Sequence, residues 1–256
     1  MEYKAMNMEP ITATAATALA AYKIFEASLR GAEAALSRVC GPALEEFGFL
    51  LRDKVQFYRA CNFISTMSKF EQIMTAKGQA NPRIVHSIVE QASWTDDAVV
   101  QDLWAGLLAS SCTEEGNDDS NLIFVNLLSA LTKLQARVLR YACENSGKVV
   151  HGGLILAEPT FIIDFSELCE IAEDNDRQRL DRELDHLRSL QLLQPESPEG
   201  WPGGLSADDP EMANVTPSSL ALHMYVRCCG SRQSPIEFFN LVLSQPVTHP
   251  SSKDGP

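Results

Sequence analysis

From Pro42 to Asn145 the apolar residues fall on helical stripes, three or four positions apart throughout Pro42 to about Lys77, and glycine or proline interrupts them at intervals. A half-buried strand needs apolar residues at every second position, whereas a helix buries a stripe that repeats about every 3.6 residues. The spacing therefore predicts a series of packed helices. An alanine-rich helix is expected over Ile11–Val39, and Gly41-Pro42 breaks it because proline suits the first turn of a new helix. From Pro42 to about Lys77 the apolar positions are Leu44, Phe47, Leu51, Val55, Tyr58, Cys61, Ile64, Met67, Phe70 and Met74. These predict a long amphipathic helix, with Glu45, Glu46, Arg52, Lys54, Gln56 and Arg59 on its solvent side. Gly78 ends it. Asn81 and Pro82 then supply the cap and first-turn residue of a helix whose stripe is Ile84, Val85, Ile88 and Val89.

The next stretch, "SWTDDAVVQDLWAGLLASS", opens on a tryptophan and two acids. Thr95 is the expected cap, and Asp96 and Asp97 fall in the first turn, where the helix dipole favours negative charge. Adjacent positions on a helix point about 100° apart, so the pair does not suit a shared proton or metal. Val99, Val100, Leu103, Trp104, Leu107 and Leu108 form the predicted buried stripe. Trp94 has two readings. It is a staple packing back onto the helix, or an exposed interaction residue of the kind enriched at interfaces.

"CTEEGNDDS" reads as an exposed acidic loop and Ser120–Leu131 as a short helix. Thr132 and Gln135 form a capping box for a helix running to Asn145, which Gly147 closes. β-branched residues with glycine and proline follow, and predict extended structure around a turn at His151-Gly152-Gly153. Asp164 caps a helix, and a leucine-striped helix is expected over Asp176–Gln194. A proline- and glycine-rich loop then leads to a helix capped by Thr216 with Pro217 in its first turn. A last apolar segment, "PIEFFNLVLS", precedes a tail from Pro246. This order of elements is that of a winged-helix domain with Asp176–Gln194 in the recognition position. The expected fold is mainly α, with an N-terminal helical bundle (1–131), a small winged-helix-like α/β domain (132–230), and a C-terminal helix and tail (231–256).

Charge and composition narrow the function. The 256 residues carry a net charge of −13, which repels nucleic acid and anionic lipid. Arg177, Arg179, Arg182 and Arg188 line the candidate recognition helix, but Asp176, Asp181, Glu183 and Asp185 cancel them. A solvated face or a protein contact is preferred there to DNA reading. The seven cysteines are scattered and the five histidines show no ligand spacing. The thiols are read as reduced and the chain as cytosolic, with no metal or other cofactor. No phosphate loop, dinucleotide fingerprint, zinc-protease motif or serine elbow is present. The alanine-rich segment is interrupted by Lys23, Glu26, Arg30 and Glu33, too soon for a membrane span.

Four strings in order, "GPALEEFGFLLRDKVQFYR", "FEQIMTAKG", "EQASWTDDAVVQDLWAGLLAS" and "LSALTKLQARVL", resemble the abortive-infection alpha family of bacteria. The resemblance is close from Gly41 to Tyr141 and loose beyond it. Trp94, Asp96, Asp97 and Trp104 match its third string. The resemblance implies a role in abortive infection, in which a phage-infected cell stops growing or dies. It carries over no catalytic residue. The expectation is a non-enzymatic defence protein that works through a protein partner, a phage-derived trigger or self-association. Membrane perturbation by the N-terminal helices and transcription regulation by the winged helix are the alternatives.

Overall fold

The computed structural model describes residues 45–74, 78–195, 205 and 211–241. The expected helix at Ile11–Val39, the break at Gly41-Pro42, Cys40, most of the loop after Gln194 and the tail from Pro246 lie outside these residues. The described chain is mainly helical, and its strands form two small antiparallel pairs. It divides into two compact units, with boundaries after Ala136, Val226 and Arg232.

The first unit holds α1 (Glu45–Ile73), α2 (Pro82–Ala92), α3 (Ala98–Ser110) and α4 (Leu122–Ser129). Asn81 caps α2 by accepting from the Arg83 N–H, Pro82 stands in its first turn, and Ile84, Val85, Ile88 and Val89 are buried as the spacing predicts. α3 departs from the expected single stripe, since every residue from Val100 to Ser110 except Asp102 is buried. It is the central helix, and Trp104 is 2% exposed within it. Such encirclement requires small residues. A Cβ on Gly106 would lie 1.7 Å from the Cys228 carbonyl oxygen. The bare glycine thus lets the backbone of Arg227–Arg232 lie directly on the helix. The acidic loop is exposed as expected, and paired hydrogen bonds of 2.8 Å between the Gln79 and Thr113 backbones anchor its start.

α1 corrects the sequence reading most. Tyr58, Cys61 and Ile64 are exposed, Ile64 at 65%, while Arg59, Asn62 and Thr66 are buried beside Phe70. Of the residues expected on the solvent side, Arg59 is buried and Gln56 half-buried, and Arg59 and Asn62 find hydrogen-bond partners on α2 and the turn that follows it. Side-chain placement of Leu44, Phe47 and Leu51 lies outside the description.

The second unit contains most of α5 (Lys133–Asn145), then β1 (Lys148–His151), β2 (Leu154–Ala157), β3 (Ile162–Asp164), α6 (Phe165–Ala172), α7 (Arg177–Ser189), β4 (Met212–Asn214), α8 (Ser219–Cys228) to Val226, and α9 (Pro235–Phe238). The capping box of α5 is present, with Thr132 N–H donating to Gln135 Oε1 and Gln135 N–H to Thr132 Oγ1. β1 and β2 form a hairpin in register His151↔Leu154, closed by Gly152 and Gly153 at φ of 58° and 81°. Positive φ at both central residues defines the turn whose twist matches the hairpin. Asp164 caps α6 as expected, accepting from Glu167 N–H, and the Ser166 hydroxyl and that N–H hold its carboxyl below the usual range.

Three local readings change. Gly147 is not in the left-handed conformation; it is needed because a Cβ there would lie 2.4 Å from the Glu158 carbonyl oxygen. Helix α7 stops at Ser189, and Leu193 instead bridges to Pro217. Thr216 does not cap α8, since its hydroxyl accepts from Phe161 N–H and donates to Asn214 Oδ1, and the Ser218 hydroxyl accepts from Ala221 N–H in its place.

Candidate functional site

The turn between α2 and α3 is where the sequence placed Trp94, Asp96 and Asp97. Its conformation is fixed from α1. Arg59 is 4% exposed; its Nε donates to Ser93 Oγ at 2.9 Å, its Nη2 to Glu90 Oε2 at 2.6 Å, and its guanidinium lies 4.5 Å from the centroid of the Trp94 ring. Asn62 Nδ2 donates to the Ser93 carbonyl, and the Tyr58 hydroxyl to the Trp94 carbonyl. One turn further, Ser65 donates to Gln101 Oε1, and Gln101 Nε2 donates to the Thr95 carbonyl. Lys69 pairs with Asp102 at 2.6 Å and donates to the Ala98 carbonyl. These α1 residues stand three and four apart, so one face of a single helix contacts the whole turn. A buried polar group without a partner costs about 1–3 kcal/mol, and this network supplies partners that an apolar face would lack.

Trp94 belongs to the end of α2. Its indole N–H donates back to Glu90 Oε1, four residues earlier, at 3.2 Å. The staple reading is therefore replaced. The side chain is 49% exposed, yet Arg59 lies against its ring and Glu90 holds its N–H. Asp97 caps α3, its carboxylate accepting from the Val99 and Val100 N–H groups at 3.0 and 3.1 Å. Thr95, the expected cap, accepts only from Asp97 N–H at 3.4 Å. Asp96 is exposed and stands before the helix. Two acids expected in one role thus take different ones. Asp97→Ala is expected to lower stability by about 1 kcal/mol and Asp97→Asn by a few tenths, with Asp96→Ala within about 0.5 kcal/mol of wild type. Urea midpoints for the three variants check the order.

The candidate arginines sit in the second unit, on α7. Arg177 pairs with Glu211 at 2.8 Å and lies 3.8 Å over the Phe165 ring. Arg179 pairs with Asp174 at 2.7 Å and approaches Glu183 at 3.8 Å. Arg182 is the exposed one, with Glu183 3.6 Å away. Each has a carboxylate neighbour, so α7 offers no uncompensated basic stripe.

Arg59, Asn62 and Gln101 escaped the sequence reading. The signal for Arg59 and Asn62 is a polar repeat on α1, continued by Ser65 and Lys69; Gln101, on α3, has no such signal. No group of three or more histidine, cysteine or acidic side chains suited to a metal occurs among the described residues. Burial pushes the Cys112 thiol up to about 11, against the opposing charge of Arg232, and so suppresses its thiolate. No helix among the described residues is long and apolar enough to cross a membrane.

Comparison with known proteins adds one match. No curated protein and no solved structure matches the chain. The family model for abortive infection alpha matches residues 60–215, from within α1 to the residue after β4. It leaves out the first of the four resembling strings, Gly41–Arg59, and runs past Tyr141, where the resemblance is loose, to take in α6, α7 and both strand pairs. With more than half of its residues inside that match, the chain belongs to the abortive infection alpha family.

Proposed function

We propose that this chain is a non-enzymatic defence protein against bacteriophage, acting in the cytoplasm by binding a protein partner or a phage-derived trigger through the surface centred on Trp94. One observation carries the reading: Trp94 is exposed and held at the same time. A fixed aromatic loses little side-chain entropy on burial, which is why tryptophan anchors dominate many interfaces. Family membership supports the defence role, and the second unit is read as a winged-helix module. Its β3 precedes two helices and pairs with β4 after them, as the first and last strands of that fold do. With its arginines facing carboxylates, α7 suits protein contacts better than a DNA groove.

Trp94→Ala is expected to leave the melting temperature within a few degrees of wild type and to abolish protection. Cells carrying wild type or the variant would be challenged with a phage panel at low and high multiplicity, following culture density and dye entry. Protection by wild type at low multiplicity with early collapse at high multiplicity, and none by the variant, supports the proposal. Undiminished protection by a folded Trp94→Ala protein removes the tryptophan from the mechanism. Dye entry before lysis would favour the membrane-effector reading, and salt-dependent DNA binding by purified protein the regulator reading.

A further inference from the structure

The charges around Trp94 do not cancel. Arg59 pairs with Glu90 and Lys69 with Asp102, both at 2.6 Å. Asp96 and Asp97 stand outside these pairs in the same turn. The Asp97 carboxylate is turned to the first N–H groups of α3. Asp96 is exposed and makes no hydrogen bond or ion pair with another described residue. The indole is asymmetric too. Arg59 is almost wholly buried and covers the inward side of the ring, so the exposed half of Trp94 faces solvent. Its N–H donates to the Glu90 carboxylate, which enriches the ring in electron density. The same carboxylate neutralises Arg59, whose charge therefore does not repel a cation on the outer side. Tyr58, 38% exposed, donates to the Trp94 carbonyl and extends the aromatic surface beside it.

We infer that this surface receives an arginine of the partner, its guanidinium flat on the outer side of the Trp94 indole and paired with the Asp96 carboxylate. On the reading of Trp94 given above, the partner's binding segment is therefore basic. An electron-rich indole is the best aromatic platform for a cation. Asp96 is two residues on, a chain distance of at most about 7 Å, so one side chain reaches both groups. Arginine suits the site better than lysine, because its planar fork stacks on the ring and pairs with the carboxylate at once. An acidic segment or a phosphate would meet Asp96 and a chain of net charge −13.

Full-length Trp201→Phe protein keeps Trp94 and the buried Trp104 as its tryptophans. The indole N–H of Trp94 gives one NMR signal, identified by its loss in Trp94→Ala. Titration with a blocked peptide of alternating glycine and arginine, into the millimolar range, is expected to shift that signal saturably and to leave that of Trp104 in place. The matching citrulline peptide, of the same shape without the charge, should bind about fivefold more weakly. Asp96→Asn should weaken the arginine peptide about threefold and flatten its salt dependence. No saturable shift, equal binding of the citrulline peptide or a glutamate peptide, or an Asp96→Asn protein that matches wild type overturns the inference. In the phage challenge, Asp96→Lys reverses the exposed charge and should protect no better than Trp94→Ala. Loss of protection in Trp94→Ala with full protection in Asp96→Lys overturns the basic partner and leaves the Trp94 reading standing. Full protection by both variants shows that the Trp94 reading has failed, and the inference falls with it.

Discussion

Gly106→Ala is expected to lower the melting temperature of the helical unit by about 10 °C or to prevent its folding, corresponding to a loss of about 3 kcal/mol or more. The added methyl would lie 1.7 Å from the Cys228 carbonyl oxygen and 2.5 Å from its carbonyl carbon. Those atoms are backbone and cannot swing aside as a side-chain end can. Relief requires the returning segment to leave α3, exposing Ala105, Ala109 and their neighbours on a helix buried almost all round. The matched control is Gly152→Ala. A Cβ there meets nothing within 4 Å, and its φ of 58° adds only the left-handed penalty of about 1 kcal/mol. Circular dichroism melts, with the emission of buried Trp104 reporting on α3, compare the two. A Gly106→Ala protein that melts with wild type would mean that the segment does not seat on α3 in solution.

The parts of this fold legible in the sequence are those decided within four residues. Asn81 before Pro82, the Thr132–Gln135 box, Asp164 before Glu167 and the Gly152-Gly153 turn each complete their hydrogen bonds or backbone angles locally. A reading of spacing and side-chain type therefore finds them. Apart from the cap that passes from Thr95 to Asp97, the misread positions depend on partners farther along the chain: Gly147 answers to Glu158 and Thr216 to Phe161. α1 is the clearest case. Its apolar and polar residues both recur at helical spacing, and periodicity alone cannot say which stripe is inside. The hydrophobic effect favours the apolar one, yet Arg59 and Asn62 are buried along with Phe70, because residues about thirty positions later offer those two a turn with a free carbonyl, a hydroxyl and a carboxylate. The site is half legible for the same reason. Trp94 stands out as a residue type in a place, but what fixes it comes from another helix.

Arg59→Met is expected to destabilise the protein by about 2 kcal/mol and to free Trp94 while leaving it exposed. Breaking a buried pair costs about 3–5 kcal/mol when the remaining charge is stranded, and the Glu90 side chain keeps 35% exposure, which lets water recover part of it. Arg59→Lys should recover little. One ammonium cannot donate both to Ser93 Oγ and to Glu90 Oε2 while lying flat against an indole, as the forked guanidinium does. Glu90→Gln should cost less, since the amide oxygen still accepts from either Arg59 or the indole. The informative variant is Arg59→Met with Glu90→Leu, which removes both charges. Such replacements are often close to neutral for stability. Urea unfolding should then return toward wild type, while acrylamide quenching of Trp94 in a Trp201→Phe background stays raised, because neither the stacking cation nor the indole acceptor remains. That separation decides what the clamp is for. If the stable double variant still protects cells from phage, exposure of the tryptophan is sufficient and its immobilisation is incidental. If it protects no better than Trp94→Ala, the buried arginine serves recognition by holding the anchor in its binding conformation. Quenching in both variants that matches wild type would show that Arg59 and Glu90 do not set the position of Trp94 at all.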